Sequence, residues 1–111
     1  MKALIIGATG ATGKDLVDKL LADPDYTEVA VFVRRPTGVV DKQLTEIQTD
    51  FDNLEQVSGQ ISGDVLFICF GTTLKAAGSS AKQRHIDYDI PLKFAQLAKR
   101  NAVNRVVLLS A

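Results

Sequence analysis

Charge of either sign in excess is missing from this sequence. Its 111 residues hold 13 lysines and arginines against 13 aspartates and glutamates. A polyanion-binding domain normally shows a basic surplus, so a nucleic-acid partner is not indicated. Cysteine is nearly absent. Cys69 stands alone, which excludes an internal disulfide and suits a reducing compartment. It reads as a small apolar residue rather than a nucleophile. Histidine is as scarce: His85, in "KQRHIDYD", has no cysteine or second histidine at ligand spacing, so no metal site is expected. It reads as a surface helix residue. Long apolar runs are missing too. Nothing approaches the ~20 residues of a membrane span, and the apolar part of "MKALIIG" is too short for a secretory signal. The expectation is a soluble, cytoplasmic protein without a membrane partner. No repeat, low-complexity tract or linker divides the chain, so residues 1–111 read as one domain.

What the sequence has is apolar residues, 46% of the total, in short runs separated by turn residues. "KALIIG" reads as a first strand ending in Gly7. Residues 12–22 carry Leu16, Val17, Leu20 and Leu21 on one helical face, and Asp23-Pro24 ends that helix, because proline disfavours helical geometry in the residue before it. "EVAVFVRR" reads as a second strand, "LTEIQTD" as a short third, and "NLEQVSG" as a helical turn or loop. "DVLFICFG" is apolar throughout, as expected of a strand buried on both faces. Residues 80–100 place Ile86, Ile90, Phe94, Leu97 and Ala98 at helical spacing, with Pro91 either kinking that helix or marking a late start. "RVVLLSA" reads as a fifth, doubly buried strand. Strands alternating with helical segments predict an α/β fold of three layers with a parallel sheet of about five strands. Right-handed crossovers favour the order 3-2-1-4-5. Ligands in such sheets sit beyond the strand C-termini where the order reverses, so five loop tips converge on one crevice.

The first of those tips is "GATGATG". A dinucleotide loop needs glycine for a sharp turn, for close approach of pyrophosphate to the backbone, and for close helix–strand packing. Gly7, Gly10 and Gly13 suit these roles in that order. Ala11 and Thr12 would present amides to the phosphates at a helix N-terminus, and Thr9 and Thr12 would add hydroxyl donors. The spacing is G-x-x-G-x-x-G rather than G-x-G-x-x-G, and a bare strand–helix turn is the alternative. A triphosphate loop fits less well. In "ATGATGKD" Ala8 stands where that loop has glycine, and Asp15 stands where it has the Mg²⁺-binding hydroxyl.

NAD-binding domains end the second strand with an acidic residue for the ribose hydroxyls. Here it ends "VFVRRP". Arg34 and Arg35 are guanidinium forks that match a phosphate, which favours NADP(H) over NAD(H), the alternative being two arginines that merely solvate a strand end. Asp50 is a candidate acceptor for the adenine amino group and Phe51 a candidate wall of its pocket; an ordinary turn carboxylate and a core phenylalanine fit as well. After the fourth strand, Gly71 allows close backbone approach, and Thr72 and Thr73 offer hydroxyls near the nicotinamide ribose. Tyr88 is followed four residues later by Leu92 rather than lysine, and reads as packing.

Taken together, "GATGATG", "VRRP", "TDF", "FGTT" and "DYDIPLKFAQLAKRNAVNRVVLLSA" resemble the atypical short-chain dehydrogenase/reductase superfamily, in particular its NmrA-like and TIP30-like NAD(P)-binding members. The resemblance covers the whole chain. It implies a Rossmann fold, a preference for NADP(H), and cofactor roles for Gly7, Thr9, Gly10, Ala11, Thr12, Gly13, Arg34 and Arg35, with Gly71 and Thr72 on the cofactor side. It also implies features not found here. Typical members continue with a Y-x-x-x-K pair and a substrate region, whereas Tyr26 and Tyr88 lack that lysine. Ser110 matches the serine at the end of the family's fifth strand and is the one weak catalytic candidate; Ala111 stands where a second serine often does. The expectation is therefore the cofactor-binding half of an oxidoreductase, truncated after the fifth strand and inactive alone. A non-catalytic NADP(H)-binding sensor or scaffold is the alternative. An apolar outer strand is a template for pairing, so association of two copies through that side is also expected.

Overall fold

A computed structural model describes residues 1–7, 11–36, 38–69 and 88–109. Within them lie strands β1 (Lys2–Ile6), β2 (Glu28–Val33), β3 (Leu44–Gln48), β4 (Val65–Ile68) and β5 (Arg105–Leu108). They are accompanied by helices α1 (Ala11–Ala22) and α2 (Ile90–Arg100) and a 3-10 helix at Leu54–Gln60. The strands form one parallel sheet in the order β3-β2-β1-β4-β5, as expected from the alternation of strand and helix patterns. Ile5 pairs with Val31 on one side and Phe67 on the other, so β1 is the central strand.

Successive strand residues point to opposite faces, and the core divides accordingly. Ala3 and Ile5 of β1, with Val29, Val31 and Val33 of β2, meet Val17 and Leu20 of α1. Leu4 and Ile6, with Ala30 and Phe32, meet Leu54 and Val57 of the 3-10 helix and Phe94, Leu97 and Ala98 of α2. Both faces are thus covered, which is why β1 and β2 read as continuous apolar runs. Leu4, Ile5 and Ile6 are fully buried, each stabilising the fold by roughly 1.5–3 kcal/mol relative to exposure.

Pro91 is the second residue of α2. Tyr88 and Asp89 ahead of it are already helical, in a wider π turn, with Asp89 at φ −65° and ψ −46°, so helical backbone runs up to the proline rather than starting at it; residues 80–87 lie outside the described residues. The other end of α2 closes with a left-handed residue, Ala102, at φ 64°. The Val103 N–H donates to the Ala98 carbonyl at 2.9 Å and the Ala102 N–H to the Lys99 carbonyl at 3.1 Å, the paired bonds that satisfy the last carbonyls of a helix. Asn101 then ties α2 to the 3-10 helix, its Nδ2 donating to the Ser58 carbonyl at 2.6 Å and the Ile61 carbonyl at 2.8 Å. Glu55 adds a surface clip to the same pair, 3.2 Å from both Lys93 and Arg100. Hydrogen bonds from Arg100 and then Lys93 hold its carboxyl below the ordinary glutamate range.

Two expectations need correction. Strand β5 is not buried on both faces: Val106 is 46% and Leu108 71% exposed. Among the described residues it pairs with β4 alone. Tyr88, expected to pack, is 54% exposed. Among the described residues no helix is long and apolar enough to cross a membrane.

Candidate cofactor site

β1 stops at Ile6, and Gly7 turns the chain at φ +83°. L side chains rarely adopt this region, so glycine is required by the turn itself. α1 begins at Ala11, which places the backbone of Ala11, Thr12 and Gly13 in its first turn. The N–H groups there have no partners within the helix. No carboxylate lies in that turn to oppose an anion at the positive helix end. Gly13 is buried, in keeping with close approach of helix to strand. Thr9 and Gly10 lie outside the described residues. Because β2 and β4 flank β1 on opposite sides, this turn opens at the point where the strand order reverses.

Arg34 and Arg35 follow directly on β2 and are both exposed. They sit at the same edge of the sheet as Gly7, because β1 and β2 are parallel and Ile6 pairs with Phe32. The Arg34 guanidinium carbon lies 5.7 Å from the centroid of the Phe51 ring, and Gln48 Nε2 donates to the Arg34 carbonyl at 3.4 Å. The next rung holds the β3 tip in place: the Thr49 N–H donates to the Val33 carbonyl at 2.7 Å, and the buried Thr49 hydroxyl to the Ile47 carbonyl at 2.7 Å.

Asp50 is exposed and begins a tight turn. Its Oδ1 accepts from the Asp52 N–H at 3.0 Å, and its carbonyl from the Asn53 N–H at 2.9 Å. This is the turn-carboxylate role, although the residue stands at the tip named as the adenine side. Phe51 is 6% exposed and packs at 6.4 Å against Phe94. It is a core residue whose outer face carries Arg34. Beside it lies an open cavity of about 280 Å³, lined by Phe51, Leu54 and Ile90, with Asp52, Asp89 and Lys93 among its polar residues. Residues so far apart in the chain give no sign in the sequence that they meet.

Cys69, just past β4, donates its N–H to the Ile6 carbonyl at 2.9 Å. Its thiol is partly buried, and desolvation pushes its pKa above the ordinary value, the opposite of an activated nucleophile. Gly71, Thr72, Thr73, His85 and Ser110 lie outside the described residues. Among the described residues no group of three or more His, Cys, Asp or Glu side chains is placed to hold a metal.

A family model described as NAD(P)H-binding matches residues 7–111. The chain belongs to this NAD(P)H-binding family. Among curated proteins it is 32% identical, over its whole length and 49% of the relative's, to "Protein FMP52, mitochondrial" of Saccharomyces cerevisiae. It is 33% identical to "Protein HTATIP2" of Rattus norvegicus over 96% of this chain and 46% of the relative. The chain thus spans about half the length of these relatives. Uronate dehydrogenase from Agrobacterium tumefaciens, solved as a mutant complexed with NAD, superposes with a TM-score of 0.80 over 99% of this chain and 40% of that one. At 16% identity that likeness speaks for the fold. The NAD(P)H-binding family and the Rossmann-like sheet agree with the resemblance carried by the sequence motifs. The described residues fit such a cofactor: a glycine turn into a helix N-terminus free of carboxylates, and two exposed guanidiniums at the neighbouring strand end.

Proposed function

We propose that this chain is the cofactor domain of a short-chain dehydrogenase/reductase-type oxidoreductase, and that it prefers NADP(H) to NAD(H). The observation that supports the preference most is the exposed Arg34-Arg35 pair ending β2 beside the Gly7 turn, where an NAD site has a carboxylate. In this reading Gly7, Gly10 and Gly13 shape the loop, and backbone amides of Ala11 and Thr12, with the Thr9 and Thr12 hydroxyls, hold the pyrophosphate. Arg34 and Arg35 take the 2′-phosphate. Asp50 and Phe51 border the adenine, and Gly71 and Thr72 the nicotinamide ribose. Bound cofactor supplies hydride transfer; this chain's residues bind and orient it.

The second reading is an NADP(H)-binding sensor without catalysis. Hydride-transfer assays on the full-length protein separate the two. Pairing of copies through the exposed face of β5 and a cytoplasmic location are further parts of the proposal. Solution mass tests the first; cell fractionation tests the second against the mitochondrion named for the yeast relative.

The deciding experiment is calorimetric titration of the chain with NADP⁺ and NAD⁺. A phosphate held by charge-assisted bonds is worth about 1.5–3 kcal/mol, so NADP⁺ should bind about 10- to 100-fold tighter. Arg34→Ala and Arg35→Ala should each narrow that gap. Equal affinity for both cofactors in the unmodified chain refutes the preference.

A further inference from the structure

Arg34 is positioned by more than its place at the end of β2. Its guanidinium carbon is 5.7 Å from the Phe51 ring centroid, within the ~6 Å at which an aromatic face attracts a cation. The ring below it is fixed. Phe51 is 6% exposed and packs on Phe94 at 6.4 Å. Phe94 in turn meets Phe32 of β2 edge-on, with centroids 4.9 Å apart and an interplanar angle of 75°. An aromatic column therefore runs from Phe32, near the C-terminal end of β2, through Phe94 to Phe51 and ends beneath one guanidinium. Gln48 holds the same residue from the backbone side. Among the described residues Arg35 makes no such ring contact.

A guanidinium is planar. Its face can rest on a ring while its N–H edge donates to a phosphate. An arginine already confined in this way loses less side-chain freedom when it binds. We propose that Phe51 is a positioning residue for cofactor selectivity: it presets the Arg34 guanidinium, so that the aromatic face as well as the charge discriminates the 2′-phosphate of NADP(H) from the free ribose of NAD(H). This rests on the 2′-phosphate reading of Arg34 given above.

The test is calorimetric titration of NADP⁺ and NAD⁺ into the unmodified chain and into Arg34→Ala, Phe51→Leu and Phe51→Tyr. Phe51→Leu should weaken NADP⁺ binding about two- to fivefold, the ~0.5–1 kcal/mol of an exposed cation–π contact at about 1.4 kcal/mol per decade. Any loss of adenine contact falls on both cofactors alike, so it is the NADP⁺-to-NAD⁺ affinity ratio that should narrow by this factor, and Phe51→Tyr, which keeps the face, should keep the ratio. A purely structural role for Phe51 weakens both cofactors alike and overturns the proposal. If Arg34→Ala narrows the ratio and Phe51→Leu does not, the proposal falls while the 2′-phosphate reading stands. If Arg34→Ala leaves the ratio unchanged, or neither cofactor binds the unmodified chain, both fall. Should Phe51→Leu not fold, proton NMR of the unmodified chain decides. Side-chain protons of Arg34 lying over the ring are shifted upfield, and unshifted resonances overturn the proposal.

Discussion

The closing turn of α2 yields a prediction whose sign and size both follow from the backbone. Ala102 stands at φ 64°, the position where helices most often place glycine. An L residue there costs roughly 1–2 kcal/mol through the contact of its Cβ with the following carbonyl. Ala102→Gly removes that cost, but glycine also frees the unfolded chain, which takes back about 0.4–1 kcal/mol. The Ala102 side chain is exposed, so no packing is lost, and both closing hydrogen bonds use backbone atoms that remain. The net expectation is a gain of about 0.5–1 kcal/mol, or about 2–5 °C in Tm for a chain of this size. The converse change, Ala102→Val, puts a β-branched residue into the same conformation and should lower Tm, because such residues are genuine outliers at positive φ. Thermal unfolding followed by circular dichroism reads both. A Tm that falls in Ala102→Gly, or stays put in Ala102→Val, means that the left-handed turn is not what closes this helix.

Gly7 carries the mirror-image case at φ +83°: Gly7→Ala should destabilise the fold by about 1 kcal/mol and, on the proposed reading of this turn as the shared pyrophosphate site, weaken NADP⁺ and NAD⁺ equally. Calorimetry showing undiminished binding of both cofactors removes Gly7 from the site. The Glu55 clip gives a pH dependence. Its folded pKa lies below the ordinary value of 4.5, through Arg100 first and Lys93 second, so its contribution is fully present above that value and is lost as pH falls through the folded one. Glu55→Gln should therefore be less stable than the unmodified chain near neutrality and converge with it on acidification, as read by urea unfolding. A difference that persists in acid contradicts the ion-pair account.

The central strands were readable because burial on both faces leaves a mark in composition. Ala3 to Ile6 and Val29 to Val33 are apolar without interruption, and Gly7 and Arg34 end the two runs. The same mark misled at β5. "VVLL" is equally apolar, yet Val106 and Leu108 face outward, because composition records what a strand is suited to pack against and not whether that layer is there. Pro91 fitted both a kink and a late start, and the helical backbone of Tyr88 and Asp89 just before α2 speaks against a start at the proline. Phe51 fitted either a core or a pocket wall. In the fold it belongs to the core with one face turned to Arg34. A contact between the ends of two neighbouring strands has no signature along the chain, and the Glu55 clip and the Asn101 tie were hidden for the same reason.

The two ends of the proposed cofactor site rest on different layers of the molecule. α1, whose first turn would face the pyrophosphate on the proposed reading, packs on the sheet face formed by Ala3, Ile5, Val29, Val31 and Val33. The ring beneath Arg34 is held on the opposite face, through Phe94 of α2 and Phe32. What the two supports share is the sheet itself, whose strands β1 to β4 send alternate residues to each face. Core changes on one face couple weakly to the other when they share no partner. On the proposed reading, repacking around Phe94 should therefore alter discrimination between NADP(H) and NAD(H) without altering the hold on pyrophosphate, and repacking beneath α1 should weaken both cofactors without altering their ratio. Selectivity and affinity are then separable by sheet face, a consequence of alternation along parallel strands rather than of any single residue.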